Sequence, residues 1–121
     1  MPDLISQFIA DYGPKIVLTA EQISNRASSF WDPRPICAKA LVRPTSTQQC
    51  AEIIKRCHQV GQIIITHGGL TGCARAADTT PDHIILSTEN MTAVEEFDEI
   101  GGTITVQAGA ILENIQKLTA D

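Results

Sequence analysis

The sequence predicts an α+β domain: a small mixed parallel and antiparallel sheet, built from one βαβ unit and one hairpin and flanked by helices. Three observations predict it. Ala40-Leu41-Val42-Arg43 and Ile63-Ile64-Ile65-Thr66 are short aliphatic runs on either side of a helical stripe, Cys50, Ile53, Ile54, Cys57 and Val60, spaced i, i+3, i+4, i+7. Two strands joined through a helix run parallel, with a right-handed crossover. Ala93 to Phe97 and Thr103 to Gln107 alternate around Asp98-Glu99-Ile100-Gly101-Gly102, a hairpin signal. Helical patterning opens and closes the chain.

Leu4, Ile5, Phe8 and Ile9 form the first stripe, from Asp3 to Tyr12, and Gly13-Pro14 ends it. After Ile16-Val17-Leu18, the run Thr19-Ala20-Glu21-Gln22 has the capping-box form and predicts a short second helix. Asn25 to Lys39 is irregular, because Pro33 and Pro35 exclude a helix interior. Trp31, the one tryptophan, is read as pinning this loop by burying its ring, with ligand stacking as the alternative. Pro44 closes the strand at Ala40–Arg43. Ser46-Thr47-Gln48-Gln49 repeats the capping box and opens a helix through Val60, with Gly61 as its stop. His58 reads as a solvated residue at that helix end. A strand follows at Ile84-Ile85-Leu86-Ser87, and Ile111 to Leu118 is amphipathic.

Composition narrows the function. A chain of 121 residues suits one domain with its own core. Its formal net charge of -5 argues against nucleic acid, which needs a surplus of lysine and arginine. No apolar run approaches the roughly 18–20 residues that span a bilayer. Asp3 stands where a secretory leader carries positive charge, so the expected location is cytoplasmic. Cys37, Cys50, Cys57 and Cys73 show no zinc spacing, and Cys50 and Cys57 read as small core residues. Cys73 lies in a glycine turn, but no base is visibly placed to activate it. No metal site and no catalytic constellation can be assembled from the three histidines, and Glu95 and Glu96 are expected on opposite faces of a strand.

The chemistry concentrates in Thr66-His67-Gly68-Gly69-Leu70-Thr71-Gly72-Cys73-Ala74. Glycine permits positive φ and removes the Cβ that blocks close approach, and successive N–H groups in such a turn make a concave anion site. An ordinary turn between strands is the alternative. The run is not G-x-G-x-x-G, since Leu70 and Cys73 stand at glycine positions, and it carries no Walker lysine. It leads to another strand through a connection from His67 to His83, longer than the about 12–15 residues usual for idle loops. Ser87, Thr88 and Glu89 are either a polar cap at a ligand edge or a solvated turn.

These residues resemble the PCMH-type, vanillyl-alcohol-oxidase-like FAD-binding domain, and within it the N-terminal part of FAD-linked D-2-hydroxy acid dehydrogenases. The resemblance runs through Trp31, Leu41-Val42-Arg43-Pro44, Arg56-Cys57-His58, His67 to Gly72, Ile84 to Ser87 with Met91, and Val106-Gln107-Ala108-Gly109. It implies that Thr66, His67, Gly68, Gly69, Leu70, Thr71, Gly72, Cys73 and Ala74 wrap the FAD pyrophosphate through their backbone. Relatives that attach FAD covalently use a histidine about where Leu70-Thr71 lies, so the resemblance implies non-covalent FAD. The family commonly has arginine where this chain has His67, and glycine at Leu70, Arg75 and Ala76.

By the same resemblance, residues 1–36 form a helical lead-in and loop, and 37–121 a partial FAD-binding domain. A second subdomain and a substrate domain are implied beyond it. The expected function is therefore the FAD-binding fragment of an oxidoreductase acting on a small-molecule 2-hydroxy acid, silent alone and prone to self-association through an uncovered face. A stand-alone nucleotide-binding or interaction module is the alternative.

Overall fold

The computed structural model describes residues 3–27, 32–71 and 75–120. Trp31, Gly72, Cys73 and Ala74, singled out above, lie outside the described residues. The chain order is α1 (Leu4–Tyr12), β1 (Val17–Thr19), α2 (Ala20–Ile23), β2 (Ala40–Val42), α3 (Thr47–Gln59), β3 (Ile64–His67), β4 (Ile84–Ser87), β5 (Val94–Asp98), β6 (Thr103–Val106) and α4 (Leu112–Leu118).

A four-stranded sheet with order β1-β2-β4-β3 carries the fold. β1 is antiparallel to β2, while β2 and β3 each run parallel to β4, with Val42 opposite Leu86 and His67 opposite Ser87. The strands of the βαβ unit are thus parallel as expected, but β4 lies between them. β3 is consequently an edge strand. Ile63, just before it, is 57% exposed, where the isoleucine run alone suggests burial; Ile84, Ile85 and Leu86 of central β4 are buried instead.

Alternate residues of the sheet feed two cores, as the twofold period of a strand requires. On one face Val17, Val42, Ile84 and Leu86 pack with Phe8 of α1 and with Ile53 and Cys57 of α3. On the other, Leu41 and Ile85 pack with Ile23, Ile36 and Ala38. A fully buried isoleucine or phenylalanine contributes about 1.5–3 kcal/mol, so these layers dominate stability. The α3 stripe is narrower than its spacing suggests: Ile54 is 45% and Val60 65% exposed, because the helix meets the sheet only along Ile53 and Cys57 with half-buried Cys50. Burial pushes the Cys50 and Cys57 thiols up, so both behave as core residues.

The capping of α2 is reciprocal, with Thr19 and Gln22 each accepting from the other's backbone. At α3 the box opens by one residue. Ser46 Oγ accepts from Gln49 N at 3.1 Å, but Gln49 Oε1 accepts from Thr45 N at 2.8 Å, outside the predicted pair. In the hairpin, a register shift between Val94 and Glu96 interrupts the expected alternation at Glu95. Where the hairpin ends, Gly109 N donates to Met91 O at 2.8 Å. An added Cβ on Gly109 would stand 1.7 Å from Thr88 O, so only glycine lets this segment seat beyond β4.

Candidate functional site

The candidate site forms where β2, β3 and β4 end together, since parallel strands deliver their following loops to one edge and ligands of such sheets bind outside those ends. An open cleft of about 340 Å³ lies there, with Ile36 and Leu41 contributing its apolar lining and Arg26, His67, Gly68, Leu70, Ser87 and Glu89 its remaining side.

His67 is the last residue of β3 and is 3% exposed. Its Nε2 lies 2.8 Å from Ala77 O. A carbonyl only accepts, so Nε2 carries the proton. Burial first, and then the positive charge of Arg26, lowers the His67 pKa against the opposing effect of that hydrogen bond. The imidazole is therefore a neutral clasp on the loop rather than a charge for a ligand. Its backbone carbonyl accepts from Thr88 N at 3.1 Å, tying the start of the turn to the end of β4.

Gly68 and Gly69 are exposed, neither has positive φ, and an added Cβ on either meets nothing within 4 Å. The chain's own packing does not require glycine at either position. Among the described residues of this loop, the left-handed ones are Leu70, at φ 59°, and Arg75, at φ 62°. At Gly68 and Gly69 this corrects the expectation of positive φ: of the described residues, Leu70 and Arg75 adopt it, at a cost.

Of the predicted site, His67, Gly68 and Leu70 line the cleft. Thr66, Gly69 and Thr71 stand beside it, exposed on the same strand end and turn. Gly72, Cys73 and Ala74 lie outside the described residues. Ser87 and Glu89 also line the cleft. Ser87 Oγ donates to Glu89 Oε1 at 3.0 Å, and Arg26 donates to the same oxygen at 2.9 Å. Arg43 Nη1 lies 3.6 Å from Glu89 Oε2. Burial raises the Glu89 carboxyl pKa, but these hydrogen bonds and the two arginine charges outweigh it, and the carboxyl is held below its ordinary range. Arg26 is the charged cleft residue that sequence reasoning missed, along with the apolar Ala27 and Ile36. It follows a four-residue helix in an irregular stretch, with no motif around it.

Comparison with known proteins decides what this turn belongs to. Residues 38–121 match the family model described as FAD binding domain. The chain belongs to that family. This FAD-binding domain, of the PCMH type, has FAD as its cofactor. It is 36% identical over 80 residues to the mitochondrial D-2-hydroxyglutarate dehydrogenase of Bos taurus, covering 66% of this chain and 15% of that protein. A Schizosaccharomyces pombe protein with a provisional mitochondrial D-lactate dehydrogenase name is 38% identical over 80 residues, again 66% of this chain and 15% of that one. The FAD-binding domain thus spans a small part of the length of these relatives. Among solved structures, an alkyldihydroxyacetonephosphate synthase superposes with a TM-score of 0.84 at 16% identity, covering 99% of this chain and 27% of that one, which shows a shared fold. The α+β class and the mixed sheet read from the sequence agree with it. Among the described residues, no helix is long and apolar enough to cross a membrane.

The residues present fit the cofactor. Two glycines whose Cβ positions are open leave backbone that a pyrophosphate can approach, and the neighbouring cleft combines an apolar lining with a polar rim.

Proposed function

We propose that this chain is the pyrophosphate-cradling part of a flavin-dependent oxidoreductase that oxidises a D-2-hydroxy acid, and that it is catalytically silent by itself. The observation that carries the reading is the pair Gly68 and Gly69: both lack a Cβ at the carboxyl edge of the three parallel strands, where neither conformation nor internal packing demands glycine. When bound, FAD supplies the redox chemistry, and the protein contributes binding, orientation and electrostatics. Thr66 to Ala74 are the proposed cofactor-binding residues. The contacts are backbone N–H groups, because His67, the nearest side chain with a titratable group, is neutral and turned into the loop.

The proposed attachment is non-covalent, since His67 Nε2 is occupied by Ala77 O and Leu70 and Thr71 offer no nucleophilic ring. Residues 37–121 are assigned to the cofactor-binding part and 1–36 to the lead-in, a division supported by the family match beginning at residue 38. The 2-hydroxy acid substrate is proposed from the names of the relatives. The cytosol is the proposed compartment; the matrix, which the mitochondrial names of both relatives suggest, is the competing outcome of a fractionation experiment.

The test is FAD titration of the whole chain followed by flavin fluorescence. Gly69→Asp, which adds bulk and like charge, is expected to abolish binding while leaving the melting transition in place. Unchanged binding moves the site elsewhere. Flavin retained after acid denaturation overturns the non-covalent assignment.

A further inference from the structure

A pyrophosphate diester brings about two negative charges, and peptide N–H dipoles offset them only partly. The groups around this cleft make the remainder harder to neutralise, because His67 is uncharged and Glu89 is a carboxylate. Among the described residues lining the cleft, one cation is present, Arg26, and it spends its charge on Glu89 Oε1 at 2.9 Å.

Glu89 does not depend on Arg26. Its other oxygen, Oε2, faces Arg43 Nη1 at 3.6 Å, and Ser87 Oγ donates to Oε1 at 3.0 Å. Arg43 is itself anchored, with Nε donating to Lys15 O at 2.7 Å. Arg26 is the opposite case: among the described residues its guanidinium has one hydrogen-bond acceptor, Glu89, and its side chain is 35% exposed. A planar guanidinium is also the group best matched to phosphate oxygens.

We propose that Arg26 is the cation of the cofactor pyrophosphate subsite, held ready by Glu89 and handed from that carboxylate to the phosphate when FAD binds, while Arg43 and Ser87 keep Glu89 paired. This rests on reading the Gly68-Gly69 turn as the pyrophosphate cradle. Arg26 is a binding residue in this account, and Glu89 acts through it as a positioning residue.

Dissociation constants for FAD, by flavin fluorescence, and for ADP, by calorimetry, test it on the whole chain. Arg26→Gln is expected to weaken both about 10- to 100-fold, the range of a charge-assisted hydrogen bond lost. Arg26→Lys should recover part of that loss. Glu89→Gln leaves Arg26 without its ionic partner and is expected to weaken both constants, by less than Arg26→Gln does, and Glu89→Asp should recover that loss. Higher ionic strength should weaken the unmodified chain more than Arg26→Gln. Gly69→Asp serves as the reference for the cradle. If Gly69→Asp abolishes binding and Arg26→Gln leaves both constants unchanged, the Arg26 proposal is overturned and the cradle stands. If neither substitution alters binding, or the unmodified chain binds neither ligand, the cradle reading fails and takes the proposal with it.

Discussion

His67 and Ala77 are joined across the glycine loop, with the imidazole Nε2 donating to the carbonyl oxygen at 2.8 Å. The last residue of β3 thereby holds the segment by which the loop returns. Both the burial of the ring and its direction follow from β3 ending at His67 rather than at Thr66, which points the imidazole inward.

Acid should loosen this clasp. The folded-state pKa of His67 is lowered from the ordinary 6.5, chiefly by burial. The unfolded chain therefore binds the proton first, and stability falls as pH drops below about 6.5, with the loss complete once pH passes the lower folded value. Urea unfolding between pH 7.5 and 5 should show the fall. His67→Gln, whose amide can still donate to Ala77, should flatten it. A profile identical in that variant would assign the pH dependence to other groups.

Gly68 and Gly109 should respond oppositely to alanine. At Gly68 a Cβ meets nothing, so Gly68→Ala is expected to fold with stability unchanged or raised by up to about 1 kcal/mol while losing FAD affinity. At Gly109 the Cβ would stand 1.7 Å from Thr88 O, and Gly109→Ala should cost about 2–3 kcal/mol or detach the hairpin from β4. Thermal unfolding and FAD titration of the two variants separate a glycine kept for a ligand from one kept for the fold.

Leu70 at φ 59° carries a conformational cost that glycine removes. The left-handed region costs a leucine roughly 1–2 kcal/mol, partly offset by the entropy that glycine adds to the unfolded chain. Leu70→Gly should therefore raise stability by about 0.5–1 kcal/mol. Leu70→Val, β-branched in the same conformation, should lower it. Equal denaturation midpoints for the two would mean the loop relaxes out of this conformation.

Apolar side chains around the hairpin and α4 should make the isolated chain self-associate. Ile100, Phe97, Leu112 and Leu118 are all exposed there, and exposed apolar side chains gathered on one region favour association. Light scattering across a concentration series should show a rising mean mass, and Leu112→Glu with Leu118→Glu should suppress it. A concentration-independent monomer would show that the patch is too dispersed to drive association.

Helices and caps were readable because their signals are local: Asp3, Thr19 and Ser46 each cap a helix that starts where expected. Strand order was not. Ile63-Ile64-Ile65 and Ile84-Ile85-Leu86 have the same character, and only pairing between distant segments puts β4 in the centre and β3 at the edge. The glycine turn was legible as a place, since its composition is unusual. Its turning residues were not, because neither leucine nor arginine prefers the left-handed region. The ion pair of Arg26 and Glu89 joins residues far apart in the chain, a relationship that no periodicity encodes.

Gly109, seated on Met91 and Thr88, joins two regions of unequal burial. On one side of that contact, β4 is buried throughout; on the other, β5 of the hairpin is exposed along its length and α4 contains no buried residue. In heavy water, the hairpin and α4 amides should exchange through small local openings and fill with deuterium early, while those of Ile84 to Leu86 wait for the whole sheet to open.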